Sequence, residues 1–110
     1  MCRKPPLLTP GLVLMAFTLV DVPAATAADG KAIYEKSCTV CHAGGVAGAP
    51  KLDDKADWKD RIAQGMDRLN EHAIKGFQGK KGMMPPKGGA MSLSDDEVKA
   101  AVKYMVDQAS

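Results

Sequence analysis

Two cysteines and a histidine stand within five consecutive positions of this 110-residue chain, in the stretch Cys38-Thr39-Val40-Cys41-His42. Thiols at this spacing suit three chemistries: a redox-active disulfide, half of a structural zinc site, or the covalent anchor of a large cofactor. Each chemistry demands a different fold around the motif, namely a βαβ unit, a second pair of metal ligands, or a wide apolar site. The rest of the sequence has to decide among them.

The first 27 residues have the pattern of a secretory signal peptide. Two basic residues precede an apolar stretch over residues 11–20, and Ala25-Thr26-Ala27 forms a small-residue cleavage site. The alternative, a retained membrane anchor, needs about 20 apolar residues, whereas Asp21 interrupts a shorter run. We therefore expect export to the periplasm, with residues 1–27 cleaved off and residues 28–110 left as one domain.

Residues 28–110 offer little material for a hydrophobic core. The whole chain has one Trp, two Tyr and two Phe, and a domain this small often needs a disulfide, a metal or a cofactor for stability. The chain carries a net charge of +2 and its first 27 residues carry +1, which leaves the domain at about +1. Nucleic-acid binders are usually strongly basic, so we expect no nucleic-acid partner.

The domain is predicted to consist of helices joined by loops. Helical signals cover four segments, residues 29–41, 57–65, 67–75 and 94–109. The last of them opens with a capping box, Ser94-Asp95-Asp96-Glu97. Two segments rich in Gly and Pro, residues 43–50 and 77–93, indicate loops, and the second is long enough to suggest a function. No stretch alternates as a strand does, so the predicted fold class is all-α.

This all-α pattern discriminates among the chemistries of the cysteine motif. A thioredoxin-like redox pair lies near a βαβ unit, and no strands are predicted. A structural zinc site needs four ligands, whereas the other histidine, His72, stands alone in a helix where we expect it to be exposed. The pattern C-x-x-C-H is the signature of c-type haem attachment. A plain structural disulfide is the remaining alternative.

A covalently attached haem would also supply apolar surface that this small hydrophobic core lacks. Tyr34, Cys38 and Cys41 stand at positions i, i+4 and i+7, on one face of a helix. We expect Cys38 and Cys41 to bind one haem c per chain covalently and His42 to bind its iron. Tyr34 and Trp58 are expected to contact the haem as a large apolar partner.

The sixth iron ligand decides between electron transfer and chemistry at an open metal. The loop Lys80 to Gly89, KKGMMPPKGG, offers a methionine whose conformation is fixed, because Pro85 forces the preceding Met84 to be extended. We predict Met84 as this ligand. The other methionines rank lower: Met83, then Met91, with Met66 and Met105 expected in the core. A His/Met pair fills both axial positions and raises the reduction potential.

Taken together, these motifs resemble a class I cytochrome c, most closely the small bacterial cytochrome c-five subgroup. The resemblance covers nearly all of residues 29–109. Gly30 and Tyr34 match helix-contact positions, Tyr104 matches the aromatic residue of the last helix, and GMMPPKGG is similar to the subgroup's ligand loop. This resemblance implies a small fold of three to five helices wrapped around one covalent haem.

The resemblance also implies one contact and reveals one departure. By analogy, the Pro50 carbonyl accepts the Nδ1 proton of His42, which orients the ring and makes it a better donor. Where the subgroup carries a cysteine pair, this chain has Ala90-Met91-Ser92-Leu93. The extra disulfide is therefore absent, and we expect a looser methionine loop.

The predicted function is one-electron transfer in a respiratory chain, without catalysis by the protein itself. Expected partners are a quinol-oxidising complex or another cytochrome as electron donor and an oxidase or reductase as electron acceptor. We expect the protein to be a monomer that contacts membrane complexes peripherally. Four lysines, Lys51, Lys80, Lys81 and Lys87, either steer this docking or form an ordinary solvated surface. Two alternatives stay open: a haem peroxidase or gas sensor with a labile sixth ligand, and a haem-bearing subunit of a larger enzyme.

Overall fold

The structure, a computed structural model, describes residues 2–3, 6–7, 10–14, 16 and 28–110. Most of the predicted signal peptide, residues 1–27, lies outside the described residues. In the described part of the chain, no helix combines the length and the apolarity that crossing a bilayer requires. The fold is built by residues 28–110.

Within residues 28–110, four helices carry most of the structure. Helix α1 spans residues 30–42 in three parts, Gly30–Ile33, the π-helical turn Tyr34–Cys38, and Thr39–His42. The other helices are α2 (Lys55–Ala63), α3 (Met66–Lys75) and α4 (Asp95–Ala109). They are joined by the 3₁₀ turns Val46–Gly48 and Pro86–Gly89 and by an antiparallel hairpin of β1 (Phe77–Gln78) and β2 (Met83–Met84). The predicted fold class is confirmed, with a small hairpin added.

The helices begin and end where the sequence supplies caps. The Asp29 side chain accepts a hydrogen bond from the Ala32 N–H at 3.2 Å and caps α1. At the start of α4, Ser94 and Glu97 form the predicted reciprocal capping box. The hydrogen bonds from Ser94 hold the pKa of the Glu97 carboxyl below its usual range. Gly76 ends α3 with a φ of +85°, a conformation that favours glycine.

Helices α1 and α4 cross at Gly30. A Cβ atom at this position would overlap the carbonyl oxygen of Ala100, so the two backbones approach this closely only because the side chain is missing. Beside the crossing, the rings of Tyr34 and Tyr104 pack with their centroids 5.4 Å apart and their planes tilted by 45°. This is the helix contact that the resemblance implies.

The buried core lies along the inner face of α4. Six of its residues are buried: Val98, Ala101, Val102, Met105, Val106 and Ala109. Tyr34, Trp58 and Ala73 extend this core from the other three helices. Met66, which was predicted to pack in the core, is exposed. It stands at the first position of α3, a helix that reaches the core through Leu69 and Ala73.

The segment of residues 77–93 is more ordered than the sequence predicts. In the hairpin, Phe77 lies opposite Met84 and Gln78 opposite Met83, and the Gly79 N–H donates to the Gly82 carbonyl at 2.8 Å. Strands of two residues are too short to show an alternating pattern, so no sequence signal predicts them. The hairpin therefore adds an ordered edge next to the helices.

Replacing Gly30 by Ala should destabilise the domain by about 1–3 kcal/mol, because the new methyl group meets the backbone of α4. Gly44→Ala is the matched control, since a Cβ atom there meets nothing within 4 Å, and its effect should stay within about 0.5 kcal/mol. Denaturant unfolding followed by circular dichroism measures both. Equal stabilities of the two variants would contradict the close crossing.

Candidate cofactor site

A cavity of about 1040 Å³ opens between the C-terminal part of α1, helices α2 and α3, the hairpin and α4. Apolar side chains line it from several of these elements, among them Leu69, Phe77, Val102 and Met105. Small-molecule sites in proteins span roughly 300–1,000 Å³. The cavity therefore suits a large and mostly apolar cofactor.

The two thiols and the imidazole of the cysteine motif line this cavity from the end of α1. Cys38 and Cys41 are half-buried and are not joined as a disulfide. Burial raises the pKa of the Cys38 thiol. Among the described residues, no group of three or more His, Cys, Asp or Glu side chains is arranged to hold a metal ion. The described residues therefore do not provide the ligands that a structural zinc site requires.

A π-helical turn leads into the motif, where the sequence predicted a regular α-helix. The Thr39 N–H donates to the Tyr34 carbonyl, one residue earlier than the α-helical partner Glu35. The Thr39 hydroxyl donates instead to the Glu35 carbonyl, at 2.9 Å. Thr39 thereby satisfies a carbonyl that the wider turn leaves without its usual donor. The wider turn also means that Tyr34 and Cys38 do not share the regular helical face that the prediction assumed.

His42 is held in one orientation by the segment of residues 50–52. Its Nδ1 atom lies 2.9 Å from the Pro50 carbonyl oxygen. A carbonyl only accepts hydrogen bonds, so Nδ1 carries the proton and Nε2 keeps a free lone pair. The Leu52 N–H donates to the His42 carbonyl at 3.0 Å, and the Trp58 indole donates to the Lys51 carbonyl at 2.8 Å. These bonds fix the segment that carries the Pro50 acceptor.

The surroundings of His42 favour its neutral form. The residue is 8% exposed, and burial lowers the pKa of its imidazole below the usual range. The hydrogen bond to Pro50 opposes this shift, and the positive charge of Arg61 adds to it. A neutral imidazole with a free Nε2 atom is the form that binds a metal ion.

Of the described residues, three methionines line the cavity: Met83, Met84 and Met105. Met84 is half-buried and packs against the hydrophobic core. Its neighbour Met83 is 60% exposed, since successive residues of a strand face opposite sides. Met105 is buried as a member of the core, as predicted. Met91, which the sequence ranked third, is exposed.

Gly76 fixes where the Met84 backbone lies. A Cβ atom on Gly76 would stand 3.0 Å from the Met84 carbonyl oxygen and 3.0 Å from the ring of Pro86. This spacing is tighter than ordinary contact, and the φ of +85° at Gly76 is unfavourable for other residues. The glycine that ends α3 therefore also lets the Met84-Pro85-Pro86 segment pack against the end of that helix.

The residues around the cavity fit a covalently attached haem. One wall offers two thiols and a neutral imidazole, and a thioether comes from β2. Arg61 also lines the cavity, and its Nε atom is buried without a hydrogen-bond partner among the described residues. The carboxylates of a haem are acceptors of the kind that this donor lacks. The chemistry of these donors, the volume of the cavity and its apolar lining all fit a haem.

Comparison with known proteins points to the same cofactor. A family model described as cytochrome C oxidase, cbb3-type, subunit III matches residues 25–105. Cytochrome c-555 of Chlorobaculum tepidum is 57% identical over 82 residues, which cover 74% of this chain and 76% of that protein. Cytochrome c5 of Ectopseudomonas mendocina is 43% identical over 75 residues, or 66% and 82% of the two chains. The chain belongs to the class I c-type cytochromes. It is close to cytochrome c5 and carries one covalently bound haem c.

Two solved structures share the fold of this cytochrome. One, at a TM-score of 0.66 and 44% identity, is a crystal structure of an electron transfer complex of nitrite reductase with cytochrome c, and the match covers 74% of this chain and 95% of that chain. The other is a mono-heme ferrocytochrome c from Shewanella putrefaciens, with a TM-score of 0.58, 45% identity and coverages of 70% and 90%. The expected small class I fold is confirmed.

The predicted contact residues of the cytochrome divide into two groups. Pro50 and Trp58 line the cavity, and the Trp58 ring lies 6.1 Å from the ring of His42, measured between centroids. Tyr34, which was also predicted to contact the haem, packs on Tyr104 in the core and is not among the residues that line the cavity. Tyr34 thus packs at the crossing of α1 and α4, and its contact with the haem stays a prediction.

His72 was predicted to be an exposed helix residue, and the structure corrects this. It is half-buried, lines the cavity and stacks on Phe77, with ring centroids 4.0 Å apart and an angle of 15° between the planes. Leu69, His72 and Ala73 stand at positions i, i+3 and i+4 of α3 and so share one face of that helix. This spacing can be read from the sequence, but because His72 is polar, we did not predict it to lie on the inner face of α3.

Trp58→Phe should lower the unfolding free energy of the cytochrome by about 1–3 kcal/mol, because the Lys51 carbonyl loses its donor and the ring becomes smaller. Tyr104→Phe is the control: it also removes one aromatic polar group, and no hydrogen bond of that hydroxyl is observed among the described residues. Denaturant unfolding of the holoprotein measures the difference. A Trp58→Phe protein as stable as the control would show that the indole bond does not hold the segment of residues 50–52.

Proposed function

We propose that this cytochrome is a one-electron carrier in which Cys38 and Cys41 hold the haem and His42 and Met84 are its axial ligands. The observation that carries this proposal is that both axial donors, from α1 and from β2, line the same cavity. A chain that supplies both donors leaves no coordination position for a substrate. When bound, the haem supplies exchange of one electron between its ferrous and ferric states.

The proposed proximal ligand is prepared by its hydrogen bonds. The Pro50 carbonyl holds the Nδ1 proton of His42, which directs the tautomer and makes Nε2 a stronger donor. The indole of Trp58 keeps the neighbouring peptide in place through Lys51. Orientation of this imidazole thus depends on the backbone of one short segment rather than on a flexible side chain.

Met84 has the best support as the sulfur ligand. It lies in the extended conformation of β2, as the following Pro85 demands. It is half-buried against the core, whereas Met83 turns most of its side chain to solvent. Met105 is a packing residue on the inner face of α4, between other buried residues. We assign the ligand to Met84 on these grounds.

The proposed setting is an exported carrier in a respiratory chain of the periplasm. The signal pattern of residues 1–27 supports it, as does a family match that begins at residue 25. We propose a quinol-oxidising complex or another cytochrome as donor and an oxidase or reductase as acceptor. The related structure of cytochrome c in an electron transfer complex with nitrite reductase supports a reductase among these partners.

A free carrier is favoured over a subunit fixed within a larger enzyme. The family model that matches is described as an oxidase subunit, which is the specific support for the second possibility. However, the matched regions cover 76% of the cytochrome c-555 and 82% of the cytochrome c5. Relatives of this size consist of little beyond the haem domain, which supports the free carrier.

The lysines expected to steer docking are partly neutralised. Lys81 forms a 2.9 Å ion pair with Asp57, and this hydrogen bond holds the pKa of the Asp57 carboxyl below its usual range. Lys87 pairs with Asp95 at 3.2 Å. We therefore propose that any electrostatic attraction to an acidic partner depends mainly on Lys51 and Lys80, which are exposed. The ordinary solvated surface gains support for Lys81, which is exposed, whereas the side chain of Lys87 is mostly withdrawn from solvent.

Met84→Ala should remove the weak deep-red absorption band that sulfur ligation gives ferric haem, and it should lower the reduction potential because a soft donor is lost. It should also open a coordination position, so the ferrous variant should bind carbon monoxide readily. Met83→Ala is the matched control, and it should keep the band, the potential and the resistance to carbon monoxide. Absorption spectra and a redox titration of the purified holoproteins measure these properties.

Rapid binding of carbon monoxide by the unmutated protein, together with no sulfur band, would contradict the proposed carrier. The iron would then have a labile sixth position, and the haem peroxidase or gas sensor would become the better assignment. Retention of the band in Met84→Ala and its loss in Met83→Ala would keep the carrier but move the ligand to Met83.

A further inference from the structure

Lys87 occupies an unusual position in the ligand loop, three residues after Met84. It lies in the 3₁₀ turn Pro86–Gly89 with a φ of +54°, a conformation that is uncommon for a residue other than glycine. Its side chain is only 17% exposed, whereas the side chain of Lys81, another ion-paired lysine of this region, is 64% exposed. A lysine that is strained in its backbone and withdrawn from water is held there by its contacts.

Those contacts join two separate parts of the chain. The Lys87 ammonium donates to the Leu93 carbonyl at 2.6 Å and lies 3.2 Å from Oδ1 of Asp95. Leu93 and Asp95 flank Ser94, the residue that caps α4. Hydrogen bonds from an ammonium group are stronger than those between neutral groups. Lys87 therefore connects the turn Pro86–Gly89, at the end of the ligand loop, to the beginning of α4.

The contacts of Lys87 matter because two prolines, Pro85 and Pro86, separate it from Met84. Met84 is paired with Phe77, and its carbonyl oxygen and the ring of Pro86 pack closely on Gly76. On its C-terminal side, Pro85 and Pro86 have no N–H groups to donate. Backbone hydrogen bonds therefore cannot anchor these two residues through their nitrogens, and the next residue with a side-chain donor is Lys87.

We propose that Lys87 is a positioning residue for Met84, one that slows detachment of the sulfur ligand by anchoring the segment that follows it. This inference rests on the proposed assignment of Met84 as axial ligand. Lys87 also lines the cavity, but in this role it binds neither the haem nor a partner. It acts through Pro85 and Pro86, whose stiff backbones transmit a displacement of the turn to Met84.

The test is ligand exchange in the ferric holoprotein. Saturating imidazole replaces a methionine ligand only as fast as that ligand detaches, and loss of the deep-red sulfur band reports the rate. Lys87→Gln should detach roughly tenfold faster, the effect of losing about one charge-assisted hydrogen bond. Lys87→Arg keeps a cationic donor and should return the rate most of the way to that of the parent.

Lys99→Gln is the matched control, because it removes the same charge from an exposed lysine that does not line the cavity and should leave the detachment rate unchanged. Global unfolding of each variant separates positioning from general stability. If Lys87→Gln lowers the unfolding midpoint but detaches its ligand as slowly as Lys99→Gln, the positioning role is overturned and the carrier assignment stands. If the parent lacks the sulfur band, or Met84→Ala keeps it, the ligand assignment fails and the positioning role fails with it.

Discussion

The fold depends on a cavity that its own side chains leave open. Trp58, Ala73, Val98, Val102 and Met105 belong to the buried core, and each of them also lines the cavity of about 1040 Å³. One side of each residue packs on protein, and the other faces the cavity that would hold the haem. Binding of the cofactor is therefore part of the folding free energy rather than an addition to a finished domain.

The two proposed axial ligands are held by different means. The Pro50 carbonyl orients His42, and a hydrogen bond from Trp58 to the Lys51 carbonyl holds the segment that contains Pro50. Met84 stands in a short strand, with Gly76 against its backbone on one side and the Lys87 tie beyond the prolines on the other. The cysteine pair of the related subgroup is absent from this loop, and the proposed role of Lys87 would counter the looseness expected from that absence. The Pro50 carbonyl engages only Nδ1 of His42, and the contacts of Gly76 and Lys87 do not involve the Met84 side chain, so Nε2 and the thioether stay free to face the cavity.

The sequence predicted the features that depend on local chemistry. The capping box at Ser94, the glycine end of α3 at Gly76, the apolar face of α4 and the cysteine motif all have signals within a few residues. The resemblance to a known family added the Gly30 crossing and the contact of His42 with Pro50, which no local pattern reveals.

What the sequence missed depends on contacts between distant segments or on irregular backbone. The π-helical turn has no propensity signal, and the role of Thr39 follows only once that turn is seen. The stacking of His72 on Phe77 requires the end of α3 to meet the hairpin. The lysine at position 87 looks like a surface residue in the sequence, and only the approach of the turn to the start of α4 withdraws it from water.

The central claim is that the haem completes the core, and removal of the haem tests it most directly. Cys38→Ala combined with Cys41→Ala prevents covalent attachment, so the cofactor can be extracted and the haem-free chain compared with the holoprotein by circular dichroism and amide hydrogen exchange. The account predicts that the haem-free chain loses most of its helical signal and its exchange protection along residues 98–106 of α4. A haem-free chain that keeps native helix content and protects these amides as the holoprotein does would contradict it.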